Sequence, residues 1–296
     1  MYDSIIIGAG PGGLTAAIYL LRSNLKVAVI ESTMPGGQVA NTAIVENYPG
    51  FEKIDGVDLA SKMFMQASNL GLEYLGGLVE EIKVEDNTFL VTYDDNTVKA
   101  RSVIIATGMK RNQLHVPGEE EFTNKGISWC AICDGSLYQG KTVAVVGGGN
   151  SALEESLYLS NIAKKVYLIH RRDAFRGDAM IADRVRRTKN IELLLSDEII
   201  EMKGKDVLES LVLKNRGELK VDGLFEYVGF LPSSDFVSNF NITNEEGFIE
   251  VDEDCQTRFK GIYAVGDITH KAIKQIATAI GDGATAAINV SRCCSD

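Results

Sequence analysis

Residues 5–31 read IIIGAGPGGLTAAIYLLRSNLKVAVIE: an apolar run, a glycine cluster, a stretch with helical spacing, and a second apolar run ending in an acid. That order predicts strand, turn, helix and parallel strand, a βαβ unit. Gly8, Gly10 and Gly13 form G-x-G-x-x-G. The first glycine permits a tight turn, the second lets a pyrophosphate approach the backbone, and the third packs helix on strand. The helix start then faces the phosphates with free N–H groups and a favourable dipole. Glu31, ending the second strand, is placed to accept hydrogen bonds from a ribose. A lone glycine turn is weak evidence, but here the strand, the helix and the acid accompany it.

Residues 143–170, VAVVGGGNSALEESLYLSNIAKKVYLIH, repeat the plan. Gly147, Gly149 and Ala152 each lie 139 positions after Gly8, Gly10 and Gly13, and Tyr158-Leu159 and Lys165-Val166 echo Tyr19-Leu20 and Lys26-Val27 at the same offset. The sequence therefore predicts an α/β fold with two Rossmann-like dinucleotide-binding domains. The copies differ at one position. Where the first has Glu31, the second has His170, followed by Arg171, Arg172 and Arg176 in HRRDAFR. A carboxylate there would repel a 2′-phosphate, whereas arginines bind one through paired hydrogen bonds. The second site is expected to take NADPH, and the first an unphosphorylated adenosine.

Strand-like stretches at SVIIATG (102–108), LFEYVGFLP (224–232) and GIYAVGDITH (261–270) suggest that the second domain is inserted into the first. The expected division is 1–111 with 238–296, and 112–237, with crossovers near 109–117 and 235–247. The chain has 296 residues, enough for two ordinary domains, with 45% hydrophobic and 24% charged residues, as in soluble globular proteins. A net charge of −11 argues against a nucleic-acid partner, which requires clustered Lys and Arg. The opening MYDSIIIGAGPGG lacks a basic n-region, and the following apolar run is too short for a membrane span. A cytoplasmic enzyme is expected.

Just before the second glycine turn stands WCAICDG, with two residues between Cys130 and Cys133 and Asp134 directly behind. A zinc site would need two more ligands at usable spacing. Cys255, Cys293, Cys294 and the histidines His115, His170 and His270 supply no second close pair. Inert core cysteines are a second reading, although Asp134 and Gly135 are poor core neighbours. The third is a dithiol/disulfide pair, with Asp134 as the acid/base that protonates a leaving thiolate or deprotonates an attacking thiol. NADPH gives up a hydride, while disulfide exchange runs through thiolates. A flavin can join the two, and the first nucleotide site is then expected to hold FAD.

Together GAGPGG, PGGQ with VENYPG, CAICDG, GGGNSA, HRRDAFR and YAVGDI…KQIATAIGDG resemble the low-molecular-weight thioredoxin reductases over essentially the whole chain. The resemblance implies FAD and NADPH as cofactors, a redox-active disulfide of Cys130 and Cys133, thioredoxin as the protein substrate, and a homodimer. It assigns FAD to the first glycine turn with Pro11 and Glu31, to Gly37, Gln38 and Asn47, to Thr107, and to Gly266, Asp267, Lys274, Gln275 and Ile276. NADPH is assigned to Gly147, Gly149, Asn150, Ser151, Ala152, His170 and the three arginines. It also implies a rotation that presents disulfide and nicotinamide to the flavin in turn. Lys274-Gln275-Ile276 stands where the family often has Arg-Gln-Ala. Cys293 and Cys294 are expected to be incidental tail residues, and Cys255 to be packing.

Overall fold

The computed structural model describes residues 1–42 and 44–294; the side chains of Cys133 and Cys294 lie outside the described residues. The chain forms two compact units, Met1–Lys110 with Leu231–Asp296, and Arg111–Phe230.

In the first unit the 5–31 stretch folds as β1 (Tyr2–Ile7), α1 (Pro11–Arg22) and β2 (Val27–Glu31). The chain continues through α2 (Gly56–Asn69), β3 (Glu73–Gly76), β4 (Val79–Glu85), β5 (Thr88–Tyr93) and β6 (Asn96–Ile105). The sheet order is β3-β2-β1-β6-β5-β4, and the late strand Ile262–Ala264 pairs with β6. Pairings among β3, β2, β1, β6 and that late strand are parallel; those of β5 with β4 and β6 are antiparallel. Both faces are covered, so β1 reads as a continuous apolar run. Ile5 and Ile7 enter one cluster with Val237, Ile242 and Ile249. Ile6 enters the other, where Leu14, Ala17 and Leu20 of α1 meet Ala286, Ala287 and Val290 of the C-terminal helix Ile276–Cys294.

The second unit contains α3 (Glu119–Phe122), β7 (Ile127–Ser128), α4 (Ala131–Asp134), β8 (Thr142–Gly147), α5 (Asn150–Ser160), β9 (Lys165–His170), β10 (Ile191–Leu195) and β11 (Gly223–Tyr227). Its sheet, β7-β11-β8-β9-β10, is parallel throughout. Leu153 and Leu159 of α5 cover one face together with Phe225. On the other, Leu224, Ala144 and Val146 pack with Met202 and Leu211 of an antiparallel sheet formed by Ile199–Gly204, Leu208–Leu213 and Gly217–Lys220.

Residues 231–237, expected with the inserted segment, pack in the first unit. Val237 is fully buried in that unit's core, Ser233 N–H donates to the Gly108 carbonyl at 3.2 Å, and Thr107 Oγ1 donates to the Ser233 carbonyl at 2.8 Å. The chain crosses at Met109–Arg111, within the first expected crossover, and at Phe230–Pro232 in place of the second; the two segments pair as a two-stranded sheet. The expected crossover at 235–247 is the 3₁₀ turn Asp235–Phe240 and its continuation, inside the first unit.

Candidate active site

The two glycine turns share one design. Gly8 has φ +106°, a conformation that favours glycine, and a Cβ there would strike the Ala106 carbonyl. The middle glycines are open: a Cβ on Gly149 would meet nothing within 4 Å, and one on Gly10 would meet only Gly37 Cα at 4.0 Å. That is the space an approaching phosphate needs. Neither α1 nor α5 has a side-chain cap at its N-terminus, where Gly10 and Gly149 stand, so the leading N–H groups are left for an anion.

Around the first turn, Glu31 Oε2 accepts the Ala9 N–H at 2.8 Å, and Oε1 accepts the Thr33 N–H and hydroxyl, each at 2.9 Å. The carboxylate is thereby aimed along the end of β2. Gln38 Nε2 donates to the Met109 carbonyl at 3.3 Å, and Asn47 Nδ2 to Gln275 Oε1 at 3.1 Å. Gly266 turns with φ +77° and donates its N–H to Asp282 Oδ2 at 2.8 Å; Lys271 also bonds that carboxylate. Burial raises the pKa of the Asp267 carboxyl despite the opposing charges of Lys274 and Lys271. Lys274 Nζ donates to the Asp267 carbonyl at 2.6 Å and lies 3.9 Å from the Phe248 ring centre; its own pKa is lowered by burial. Ile276 begins the C-terminal helix. Every residue assigned to FAD therefore lies in the first unit. Side-chain donors and acceptors, the uncapped backbone N–H groups of α1 and a half-buried acid together make a set of polar groups that fits a flavin dinucleotide. Asp282 was not singled out from the sequence, since nothing in its helical context marks it.

All residues assigned to NADPH lie in the second unit. Arg171, Arg172 and Arg176 are exposed at the end of β9, and the Arg176 N–H donates to the Gly148 carbonyl at 2.8 Å, docking the basic loop on the glycine turn. His170 differs. It is 5% exposed and stacks on Phe175 at 5.7 Å, and its ring fills the space a Gly148 side chain would need. Burial first, then the neighbouring arginines, lower its pKa against a bond with the Ala174 backbone, and Nε2 is buried without a hydrogen-bond partner. A neutral, covered imidazole supports the turn and leaves Arg171, Arg172 and Arg176 as the exposed basic groups beside it.

The cysteine turn is also in the second unit. Cys130, directly before α4, is disulfide-bonded. Cys133 lies in α4, its side chain outside the described residues. Ser128 Oγ accepts the Cys130 N–H at 3.1 Å and donates to Asp134 Oδ2 at 2.6 Å. The Asp134 carboxylate thus accepts a hydrogen bond from Ser128 rather than capping a helix; its own N–H donates to the Cys130 carbonyl at 3.1 Å. The Ala131 N–H donates to the Tyr227 hydroxyl at 3.0 Å, and Trp129 Nε1 to Glu226 Oε2 at 3.0 Å. Glu226 and Tyr227 were not anticipated, because they are 97 and 96 residues from their partners; Ser128, only two residues from Cys130, was overlooked although its neighbourhood is local. Ile132 and Leu137 expose 48% and 67% of their surface beside this turn. Of the remaining cysteines, Cys255 is buried among Leu14, Tyr263 and Ala287, its thiol pushed up to about 11 by burial. Cys293 is exposed, 3.7 Å from the Tyr263 hydroxyl, and the Cys294 side chain lies outside the described residues.

Comparison with known proteins places these features in company. A family model described as pyridine nucleotide-disulphide oxidoreductase matches residues 2–283. The thioredoxin reductase of Bacillus subtilis is 44% identical over 296 residues, covering 98% of this chain and 94% of that one. The crystal structure of Lactococcus lactis thioredoxin reductase, in its FR conformation, is 41% identical and superposes with a TM-score of 0.86, covering 99% and 98% of the two chains. A ferredoxin-flavin thioredoxin reductase from Clostridium acetobutylicum is 32% identical, with a TM-score of 0.56 over 99% and 98%.

Proposed function

Because the chain belongs to the pyridine nucleotide-disulphide oxidoreductase family, we propose that it reduces the disulfide of a thioredoxin with NADPH, using FAD held by the first unit and a Cys130–Cys133 pair in the second. The observation that carries this reading is the turn at Cys130. A disulfide-bonded cysteine directly precedes α4, with a carboxylate held beside it by Ser128, in the same unit as the arginine-bearing glycine turn.

Held by the Gly8–Gly13 turn, Glu31 and Asp267, FAD would supply a two-electron relay between the hydride of NADPH and the disulfide. The chain's own residues do the rest. Arg171, Arg172 and Arg176 select the phosphorylated nucleotide, and Glu31 the unphosphorylated ribose. Reduction of the Cys130–Cys133 bond consumes two electrons and two protons. One thiolate of the pair then attacks a thioredoxin sulfur, forming a mixed disulfide and releasing the other thioredoxin thiolate. Attack by the second thiol of the pair frees the reduced substrate and regenerates the bond. Asp134, oriented by its hydrogen bond from Ser128, is the group that takes and returns a proton. Ile132 and Leu137 offer apolar surface to the protein substrate. Both half-reactions draw on one cofactor and both need reacting atoms within about 3–3.5 Å. Nucleotide turn and disulfide are therefore presented alternately, by movement about the crossings Met109–Arg111 and Phe230–Pro232. We assign the enzyme to the cytoplasm as a homodimer; no helix among the described residues is long and apolar enough to cross a membrane.

A coupled assay with the organism's own thioredoxin tests the reading. NADPH is expected to drive reduction far better than NADH. Reduction driven by reduced ferredoxin but not by NADPH would overturn the donor assignment in favour of the ferredoxin-linked kind.

A further inference from the structure

Trp129, the only tryptophan in the chain, stands directly before Cys130. Its indole N–H donates to Glu226, a carboxyl only 3% exposed. Successive residues of β11 point to opposite faces of the sheet. Leu224 and Glu226 share the face of Val146, which is paired with Glu226 across β8, and of Leu114, Val116, Phe122 and the Trp129 ring. Tyr227 points to the other face, where its hydroxyl takes the Ala131 N–H. Two adjacent residues of one central strand therefore hold the chain on either side of Cys130.

A carboxylate amid that apolar cluster would be costly unless neutralised. The charged group facing it is Glu119, from α3, itself 3% exposed. Both Glu119 oxygens already accept backbone N–H groups, Oε1 from Leu114 at 2.9 Å and Oε2 from Val116 at 3.3 Å. Glu226 Oε1 has no hydrogen-bond partner as it stands. A proton there completes the network: Glu226 donates to Glu119 while its other oxygen still accepts from Trp129. Arg111 lies beyond, its guanidinium 5.3 Å from the Trp129 ring centre, and Asp134 and Glu155 act on Tyr227 from the opposite face.

We propose that Glu226, sharing one proton with Glu119 inside the second unit, is a positioning residue for the redox turn, holding Trp129 and through it the backbone that carries Cys130. The inference rests on the reading of Cys130 and Cys133 as the redox pair. Burial, then the facing charge of Glu119, raises the Glu226 carboxyl to about 8, against the lowering effect of the Trp129 bond. Above that pH the proton leaves, the bond to Glu119 gives way to repulsion, and the Trp129 N–H meets a charged acceptor, so the surroundings of the indole change.

The single tryptophan makes this measurable. In the oxidised holoenzyme, whose disulfide offers no thiol at Cys130 to titrate, Trp129 emission is expected to change with pH with a midpoint near 8. Glu226→Gln accepts from Trp129 and donates to Glu119 with no ionisable proton, so its emission should be flat over the same range while disulfide reduction at pH 7 persists. Glu226→Leu should lower the rate at which reduced enzyme is reoxidised by thioredoxin, or by the aromatic disulfide dithiobis(nitrobenzoate), by about 10-fold or more. Its flavin reduction by NADPH should be unchanged. If that variant does not fold, Trp129→Phe, which keeps a ring and removes the N–H, is expected to show the same split between half-reactions. A wild-type titration surviving in Glu226→Gln, or reoxidation at the wild-type rate in Glu226→Leu or Trp129→Phe, would overturn the proposal. Failure of the wild-type enzyme to reduce any disulfide would instead overturn the functional reading beneath it.

Discussion

His170 and its three arginine neighbours divide one task by burial. The imidazole sits beneath Gly148, where it shapes the turn, and Arg171, Arg172 and Arg176 stay exposed, where they can meet a phosphate. Hydrogen bonds to charged groups are worth about 1.5–3 kcal/mol each. Replacing Arg171 and Arg172 by Ala should therefore raise KM for NADPH by at least ~10-fold while changing KM for NADH little; equal losses in steady-state kinetics would contradict the assignment. Gly148 tests the other half. A methyl group there meets the His170 ring, and overpacking of this kind costs about 1–3 kcal/mol. Gly148→Ala should lower the Tm measurably and weaken NADPH binding, and an unchanged Tm would show that the ring can move aside.

At the scale of elements, the turn after β10 is tied to the hairpin turn of the antiparallel sheet by one carboxylate. Asp197, its side chain 0% exposed, bonds Arg216 at 2.7 Å and accepts the N–H groups of Glu198 and Asn215, each at 3.0 Å. Burial alone would raise its pKa, but Arg216 and the two N–H groups together hold it below the usual value. A carboxyl lowered on folding contributes stability above its unfolded pKa of about 3.9, and that contribution disappears as pH falls through the folded value. Asp197→Asn should thus destabilise the protein by about 1.5–3 kcal/mol at pH 7, the worth of the charged bond it loses. In thermal melts the gap from wild type should close below about pH 4; a gap that stays constant would place the stabilisation elsewhere.

For the whole molecule, the separation of the two nucleotide turns into units with their own cores predicts that the half-reactions can be broken one at a time. Cys133→Ser should abolish thioredoxin turnover while the purified protein stays yellow and its flavin is still bleached by NADPH, as read by absorbance near 450 nm for a typical flavin. Loss of colour, or persistent turnover, would contradict the division of labour. How much of this was legible beforehand follows the range of the interactions. The glycine turns, Glu31, the arginines after β9 and the closely spaced cysteines are local patterns, because a phosphate turn or a C-x-x-C is complete within a few neighbouring residues. The sequence therefore determined two dinucleotide folds, one inside the other, and the chemistry each could host. Tertiary structure alone decided the rest. Residues 231–237, LPSSDFV, carry no local pattern that assigns them to one domain or the other, and only packing places Val237 in the first. Glu226 and Tyr227 reach the cysteine turn, and His170 slips beneath Gly148, through strand registers that bring together residues separated in the chain, which no local pattern encodes.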